Sequence, residues 1–491
     1  MKLDQNRTPL FDALSHYAFN DSVTSFDVPG HKKGKGISSR FKELVGENIF
    51  KFDPNSMKEL DLLSNPTSVI KDAEALLADF FGAENAFMLV NGSTSGIQNM
   101  IIAACNERDK IIMPRNIHKS AVNALVLSGA IPVFINADLS DDYQISNGVS
   151  FDDVKQVIDD NPDAKAMLLV SPTYFGVSSD LEKIIDYAHQ KDIVVLIDES
   201  HGSHFSVFEG VSKNAMYYKA DLATISVHKT GGSLTQSSVL LHQGSLIDKD
   251  KVRQVINLSQ TSSASYLLMA SIDIARHELF LNQKKNNQLV KLSEELINKI
   301  NTLDGLQALS HAEENGSTVF KTDPTKIVVK VNDLGLSGFE AYDLLRSDYN
   351  IQMELGETNV VLAIVSVGDD KETLDTLYKA FKKISEKYCG NIKKRVTKNS
   401  FNKIPEYAVS PRKAFFTQKE FVLLDDAVGK ISGDSIMYYP PGIPLLIPGE
   451  RICQDIVDFY KVVIREKNVI LGTKDINNNT YISVLKEEEY E

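Results

Sequence analysis

Between about residues 70 and 245 the chain alternates between two kinds of segment. Short apolar runs at 86–90, 111–114, 131–136, 166–170, 194–198 and 223–227 read as strands. Helical stretches near 117–128, 151–160 and 180–190 separate them. Runs without polar alternation are buried on both faces, and strands alternating with helices build a mostly parallel sheet covered on both sides. A helix over Val69–Phe81 leads into the first strand. The helix after Ser95 places Ile97, Met100, Ile101 and Ala104 on one face. The fold class expected is therefore α/β.

The rest of the chain arranges itself around that unit. Residues 1–60 read as an arm and 61–300 as the large domain, closed by a long helical region from about 265 to 303. Near 322 the pattern changes. A strand at 326–331, a helix at 337–347, a hairpin over 351–367 around Gly356 and a helix at 370–388 give a small α+β domain over 301–390. The segment 389–404 carries Lys393, Lys394, Arg395, Lys398 and Lys403. It reads as a solvated linker in preference to a nucleic-acid patch. A C-terminal α+β domain over 391–491 ends in an acidic tail at 487–491.

Composition narrows the function classes. At 491 residues, with 43% apolar and 24% charged, the chain can bury several cores. A net charge of −13 argues against a general nucleic-acid binder, which needs Lys and Arg to displace counterions. Cys105, Cys389 and Cys453 lie far apart, so neither a disulfide framework nor a metal cluster is expected. The N-terminal stretch lacks a signal-type apolar core, and no apolar run approaches the roughly 20 residues that span a bilayer. The expected location is the cytoplasm, with no membrane partner.

Open parallel sheets bind ligands at the carboxyl ends of their strands. Three such ends here are polar. Asn91-Gly92-Ser93-Thr94-Ser95-Gly96 follows a strand and opens a helix. Its hydroxyls and free N–H groups suit a phosphate, although an ordinary capped turn looks the same. The run 194–198 ends in Asp198-Glu199-Ser200-His201-Gly202. Asp198 there can hold a proton on a pyridinium, bind Mg2+ or cap a helix. The run 223–227 leads to His228-Lys229-Thr230-Gly231-Gly232. Ser226 and His228, two apart on an extended strand, would face one side and donate to a phosphate. Lys229 is an exposed loop lysine or an imine-forming one. His118 follows another strand end, where it can stack on a ring, cap a helix or sit in the core. A phosphate loop, a strand-end Asp and a strand-end Lys in this order suit a fold-type-I pyridoxal-phosphate (PLP) enzyme.

Five segments resemble the Orn/Lys/Arg decarboxylase family over nearly the whole chain. They are Phe26-Asp27-Val28-Pro29-Gly30-His31-Lys32-Lys33-Gly34, Pro114-Arg115-Asn116-Ile117-His118-Lys119-Ser120, Asp198-Glu199-Ser200-His201-Gly202, Ser226-Val227-His228-Lys229, and Tyr439-Pro440-Pro441-Gly442-Ile443-Pro444 with Pro448-Gly449-Glu450. Within the family the chain is most similar to the short Bacillus-type arginine decarboxylases, which lack an N-terminal wing domain. The resemblance implies a PLP-dependent, transferase-like fold and decarboxylation of a basic amino acid. Arginine giving agmatine, a step in polyamine biosynthesis, is favoured over lysine or ornithine. It implies Lys229 as the imine-forming lysine, Asp198 as partner of the pyridine nitrogen, and Ser93, Thr94 and Ser95 as the phosphate loop. It further implies His118 stacked on the ring, Ser226 and His228 on the phosphate, and His201 near the ring oxygen or the substrate carboxylate. Ser262 and Ser263 would reach the phosphate of a neighbouring subunit in a homodimer or larger homo-oligomer. The family often has Pro at the place of Ala264 and Ala at the place of Ser200, which leaves the path of 261–265 open. Glu450, and less so Glu354, are candidates for the far cationic end of the substrate; both are equally readable as surface carboxylates. A PLP aminotransferase or lyase would share Lys229 and Asp198, and a catalytically dead PLP-binding regulator would share the whole constellation.

Overall fold

The computed structural model describes residues 3–20, 22–390, 404–439, 443–465, 469–477 and 479–486. Seven strands form the main sheet: β1 (Asn85–Leu89), β2 (Lys110–Pro114), β3 (Ile131–Ile135), β4 (Ala166–Val170), β5 (Val194–Asp198), β6 (Leu222–Ile225) and β7 (Ser238–His242). Their spatial order is β1-β7-β6-β5-β4-β2-β3. Every residue of β5, β6 and β7 is buried, as the apolar runs require. β2 runs parallel to β3 and β4.

Two sequence expectations need correction here. β7 was not expected, and it runs antiparallel to both β1 and β6. An antiparallel return needs no crossover helix, so the alternation that marks the other strands is missing. The strand expected over 223–227 stops at Ile225, and a one-turn helix, Val227–Thr230, begins after Ser226. Period-2 placement therefore does not apply to Ser226 and His228.

The chain divides into two compact units. One holds Met1–Ala103, Ile197–Glu209 and Lys213–Asn287; the other holds Ala104–Leu196, Gly210–Ser212 and Gln288–Glu491. β5 is the strand that passes from one to the other.

In the first unit the N-terminal helix Pro9–Phe19 is pinned by a buried ion pair. The Arg276 guanidinium donates to the Gln5 carbonyl at 2.7 Å, the Gln5 side chain at 2.8 Å and Asp273 at 3.1 Å. Asp273 in turn accepts the Leu10 N–H at 3.1 Å. The helix Val69–Phe81 starts from Asp61, whose carboxylate collects the N–H groups of Leu62, Thr67, Ser68 and Ile70. The helix Gly92–Ala104 crosses β6 at Gly96, where a Cβ would stand 2.1 Å from the Thr224 hydroxyl.

The second unit carries β2–β4 and a smaller antiparallel sheet. That sheet comprises β8 (Gln307–Ala308), β9 (Lys326–Lys330), β10 (Leu355–Gly356) and β11 (Val360–Ile364), in the order β10-β11-β9-β8. Helices Gly338–Tyr349 and Lys371–Tyr388 cover it through Ala341, Leu345, Leu374, Phe381 and Ile384. The expected hairpin is present, but it turns at 357–359 and Gly356 ends β10. Gly356 serves close packing instead: a Cβ there would stand 2.5 Å from the Gly338 carbonyl oxygen.

At the C-terminus two three-stranded sheets form, and the helix Gln454–Arg465 contributes Ile456, Val457 and Tyr460 to their core. The basic residues Lys393–Lys403, the Pro440-Pro441-Gly442 motif and the acidic tail lie outside the described residues. No helix among the described residues is long and apolar enough to cross a membrane.

Candidate active site

The carboxyl ends of β1, β5 and β6 bring most of the expected residues together in the first unit. After β1 the chain turns at Gly92, whose φ of 70° favours glycine, and starts the helix. Ser93 and Ser95 are buried and Thr94 is exposed. The Ser226 hydroxyl donates to Ser93 at 2.8 Å, which joins the phosphate-loop candidate to the lysine segment. Ser95 caps back onto the Gly92 carbonyl at 2.8 Å.

Asp198 closes β5 with 6% of its surface exposed. Its carboxylate accepts the N–H and hydroxyl of Ser200. Lys229 lies in the one-turn helix after β6, and its Nζ stands 2.8 Å from His201 Nε2. His201 is itself 6% exposed. A bond between these two nitrogens needs one of them unprotonated, so the pair holds at least one neutral base.

His228 does not face Ser226. Its Nδ1 lies 2.9 Å from the Ser237 carbonyl, so Nδ1 carries the proton. Burial pushes His228 below the usual imidazole range and Lys229 adds to this, while the Ser237 carbonyl pulls it back. Its Nε2 therefore donates to a phosphate only when the dianion itself draws a second proton onto the ring.

Some neighbours were missed by sequence reasoning. Ser203, His204 and Thr230 form a buried chain under the lysine turn, with Ser203–Thr230 at 2.6 Å and His204–Thr230 at 3.0 Å. Glu199 is buried beside Asp198 and accepts the Ala215 N–H at 2.9 Å. Burial pushes its carboxyl well above the ordinary value, the Ala215 N–H pulls it back, and Asp198 adds to the rise. The string 198–204 marks Glu199, Ser203 and His204 in the sequence, and Thr230 follows Lys229 directly.

The other candidates lie elsewhere. Ser262 and Ser263 are exposed on the loop before the helix Tyr266–Leu281. In the second unit, His118 caps the helix Lys119–Ser128, its Nδ1 accepting the Ser120 N–H at 3.2 Å. The capping alternative is therefore realised. Glu450 is 1% exposed, and the Arg115 guanidinium grips both its oxygens at 2.7 and 2.8 Å. The Ile447 N–H adds a third bond at 2.8 Å. Glu450 is thus buried and held within its own unit, and the surface reading does not hold. Glu354 is exposed, accepts the Tyr174 hydroxyl, and borders an open groove of about 550 Å³ with Met353, Ile364, Asp369, Glu372 and Leu377.

The residues of the first unit fit PLP. Hydroxyls and N–H groups at a helix start suit its phosphate, a buried carboxylate suits its pyridinium, and a lysine beside an imidazole suits its aldehyde. Among the described residues no three His, Cys, Asp or Glu side chains group as a metal site would need.

Comparison with known proteins bears on the same assignment. Residues 8–373 match the Orn/Lys/Arg decarboxylase major domain, and 394–474 match the C-terminal domain of that family. The chain is 38% identical to a Bacillus anthracis protein named arginine decarboxylase, over 99% of both chains. It is 36% identical to a Bacillus subtilis arginine decarboxylase, again over 99% of both. The Francisella novicida lysine decarboxylase has the same fold, with a TM-score of 0.84 at 21% identity over 98% of this chain and 81% of that one. A Bacillus subtilis ureidoglycine-glyoxylate aminotransferase shares the core at a TM-score of 0.53 and 12% identity, over 67% of this chain and 87% of its own. The likeness reaches the C-terminal domain as well as the major one, and the chain belongs to the Orn/Lys/Arg decarboxylase family.

Proposed function

We propose that this chain decarboxylates L-arginine to agmatine and CO2 with PLP held on Lys229. The observation that carries this is Lys229, half-buried in the turn after β6, with its Nζ 2.8 Å from the buried His201, which follows the buried Asp198 at the end of β5. Full-length likeness to proteins named arginine decarboxylase supports the substrate.

When bound, PLP supplies a sink for the electron pair that the departing CO2 leaves behind. The chain's own residues set the conditions. Asp198 keeps a proton on the pyridine nitrogen, and Ser200 fixes the carboxylate's orientation. Ser93, Thr94, Ser95 and Ser226 hold the phosphate, joined by His228 once its ring takes a second proton. The Lys229–His201 pair supplies the proton that replaces CO2. His201→Ala divides the two roles: full turnover with an unchanged pH profile assigns the proton to Lys229.

His118 at its helix cap, and Glu354 in its groove, remain proposals for ring stacking and for the substrate's far end. The exposed Ser262 and Ser263 are proposed to complete the site of a second subunit in a homodimer. Domain limits at 60, 300 and 390 and a cytoplasmic location complete the reading.

The test is incubation of the PLP-loaded protein with arginine, lysine and ornithine, measuring CO2 and amine. Agmatine from arginine supports the proposal. Cadaverine or putrescine in its place moves the substrate, and transamination without CO2 moves the reaction.

A further inference from the structure

The turn between β10 and β11 holds two buried polar side chains, each with one oxygen that has no partner among the described residues. Glu357 is 8% exposed and Asn359 is 5% exposed. Glu357 Oε1 and Asn359 Oδ1 are both buried, and neither accepts a hydrogen bond from any described residue. Buried acceptors are nearly always paired, and two orphans on one three-residue turn are a departure that needs a cause.

The turn is not loose. The Glu357 N–H donates to the Val360 carbonyl at 2.8 Å. The Thr358 carbonyl accepts the Gly338 N–H at 3.1 Å, and the Asn359 carbonyl accepts the Val331 N–H at 3.0 Å. The start of the helix Gly338–Tyr349 presses so close that a Cβ on Gly338 would stand 2.1 Å from the Glu357 carbonyl oxygen. The backbone is fixed by its neighbours while the two side-chain acceptors are left open.

No cation among the described residues serves them. Lys330, opposite Val360, pairs with Asp333 at 3.3 Å. Lys326 lies at the far end of β9, opposite Ile364. Glu340, on the packed helix, is occupied by the N–H and hydroxyl of Ser337. The flanking Leu355 and Val360 belong to a buried apolar cluster.

We propose that this turn is a binding site for an alkylguanidinium or alkylammonium cation, with Glu357 and Asn359 as its acceptors. A cation supplies the donors both oxygens lack, and charge-assisted bonds to a carboxylate are the strong kind. The apolar surroundings suit the alkyl stem. Burial alone pushes the Glu357 carboxyl up to about 8, so near neutral pH it is protonated and awaits a counter-charge. Cation binding must then release a proton, and affinity must rise as pH climbs toward 8. The cation is either the far end of the amino-acid substrate or a free amine acting at a separate site. The site itself rests on the orphan acceptors and not on the proposed reaction.

The test uses the full-length PLP-loaded protein and propylguanidine, which has no amine to condense with an aldehyde. Calorimetry at pH 7 in two buffers of different ionisation heat reads both affinity and proton release. The wild type should release a proton on binding and bind more tightly at pH 8 than at pH 6.5. Glu357→Gln should weaken binding about ten-fold or more and abolish the release. Competition with arginine and a raised KM in Glu357→Gln assign the cation to the substrate. Binding that leaves the arginine KM unchanged assigns a separate amine site. No proton release in the wild type, a measurement that needs no variant, overturns the proposal and leaves a water-filled polar turn. Equal affinity in Glu357→Gln does the same. Loss of agmatine production would not touch either readout.

Discussion

Glu450 offers a sharp contrast between a structural carboxylate and a substrate-reading one. Its side chain is 1% exposed and that of Arg115 is 13% exposed. Burial pushes the carboxyl up, and Arg115 with the Ile447 N–H pulls it back. The two-pronged contacts at 2.7 and 2.8 Å are those of a charge-assisted pair. Glu450→Ala strands the guanidinium in a site made for its partner. Such a loss costs about 3–5 kcal/mol. Arg115 keeps the Leu445 carbonyl at 3.1 Å and stacks on the Phe134 ring at 4.8 Å, so the lower end applies. Glu450→Gln keeps one acceptor and should cost about 1.5–3 kcal/mol, the worth of a hydrogen bond to a charged group. A chain of this size need not unfold in one step, so amide exchange across 443–452 is the right assay. A loss of about 3 kcal/mol speeds exchange there roughly a hundred-fold. The arginine KM should change little in any Glu450 variant that still folds. Wild-type protection together with a large rise in KM would refute this reasoning and return Glu450 to the substrate.

Three further outcomes are expected. Asp61→Asn should lose about 1–3 kcal/mol by turning amide hydrogens toward four backbone donors. Burial raises the Asp61 carboxyl, but the N–H groups of Ser68, Thr67, Leu62 and Lys71 outweigh it and hold it below the ordinary range. A depressed native value stabilises above the unfolded value of about 3.9 and is lost as pH falls through the native one. Thermal melts should therefore show the wild-type advantage near pH 7 and its disappearance in acid. Gly96→Ala should destabilise by about 1–3 kcal/mol, because the new Cβ stands 2.1 Å from the Thr224 hydroxyl; adding Thr224→Ala should recover part of the melting temperature. Mixing Lys229→Ala subunits with Ser262→Ala/Ser263→Ala subunits should restore activity through hybrids with one intact site. Hybrids that form without activity would show the sites to be unshared.

The sheet was legible because burial on both faces leaves apolar runs, and helices between them force parallel order. β7 was not legible, because an antiparallel return carries no helix to announce it. The residue types at the strand ends were readable, and so was the placing of Ser93, Asp198 and Lys229 after strands of one sheet. Their detailed contacts were not: extended spacing put Ser226 and His228 on one side, whereas a single helical turn sends one to Ser93 and the other to Ser237. Arg115 and Glu450 are 335 positions apart, a pairing that no local pattern encodes. Gly356-Glu357-Thr358-Asn359 reads as an ordinary polar turn, and only the packing of Gly338 reveals that its acceptors are buried.

Lys229 is the residue proposed to carry the cofactor. Borohydride reduction of the PLP-loaded protein fixes the imine as a stable amine, and peptide mass spectrometry then locates it. A phosphopyridoxyl group on the peptide containing Lys229, and on no other lysine, is the expected result. The same group on a different lysine, or its absence from a protein that decarboxylates arginine, would contradict the account.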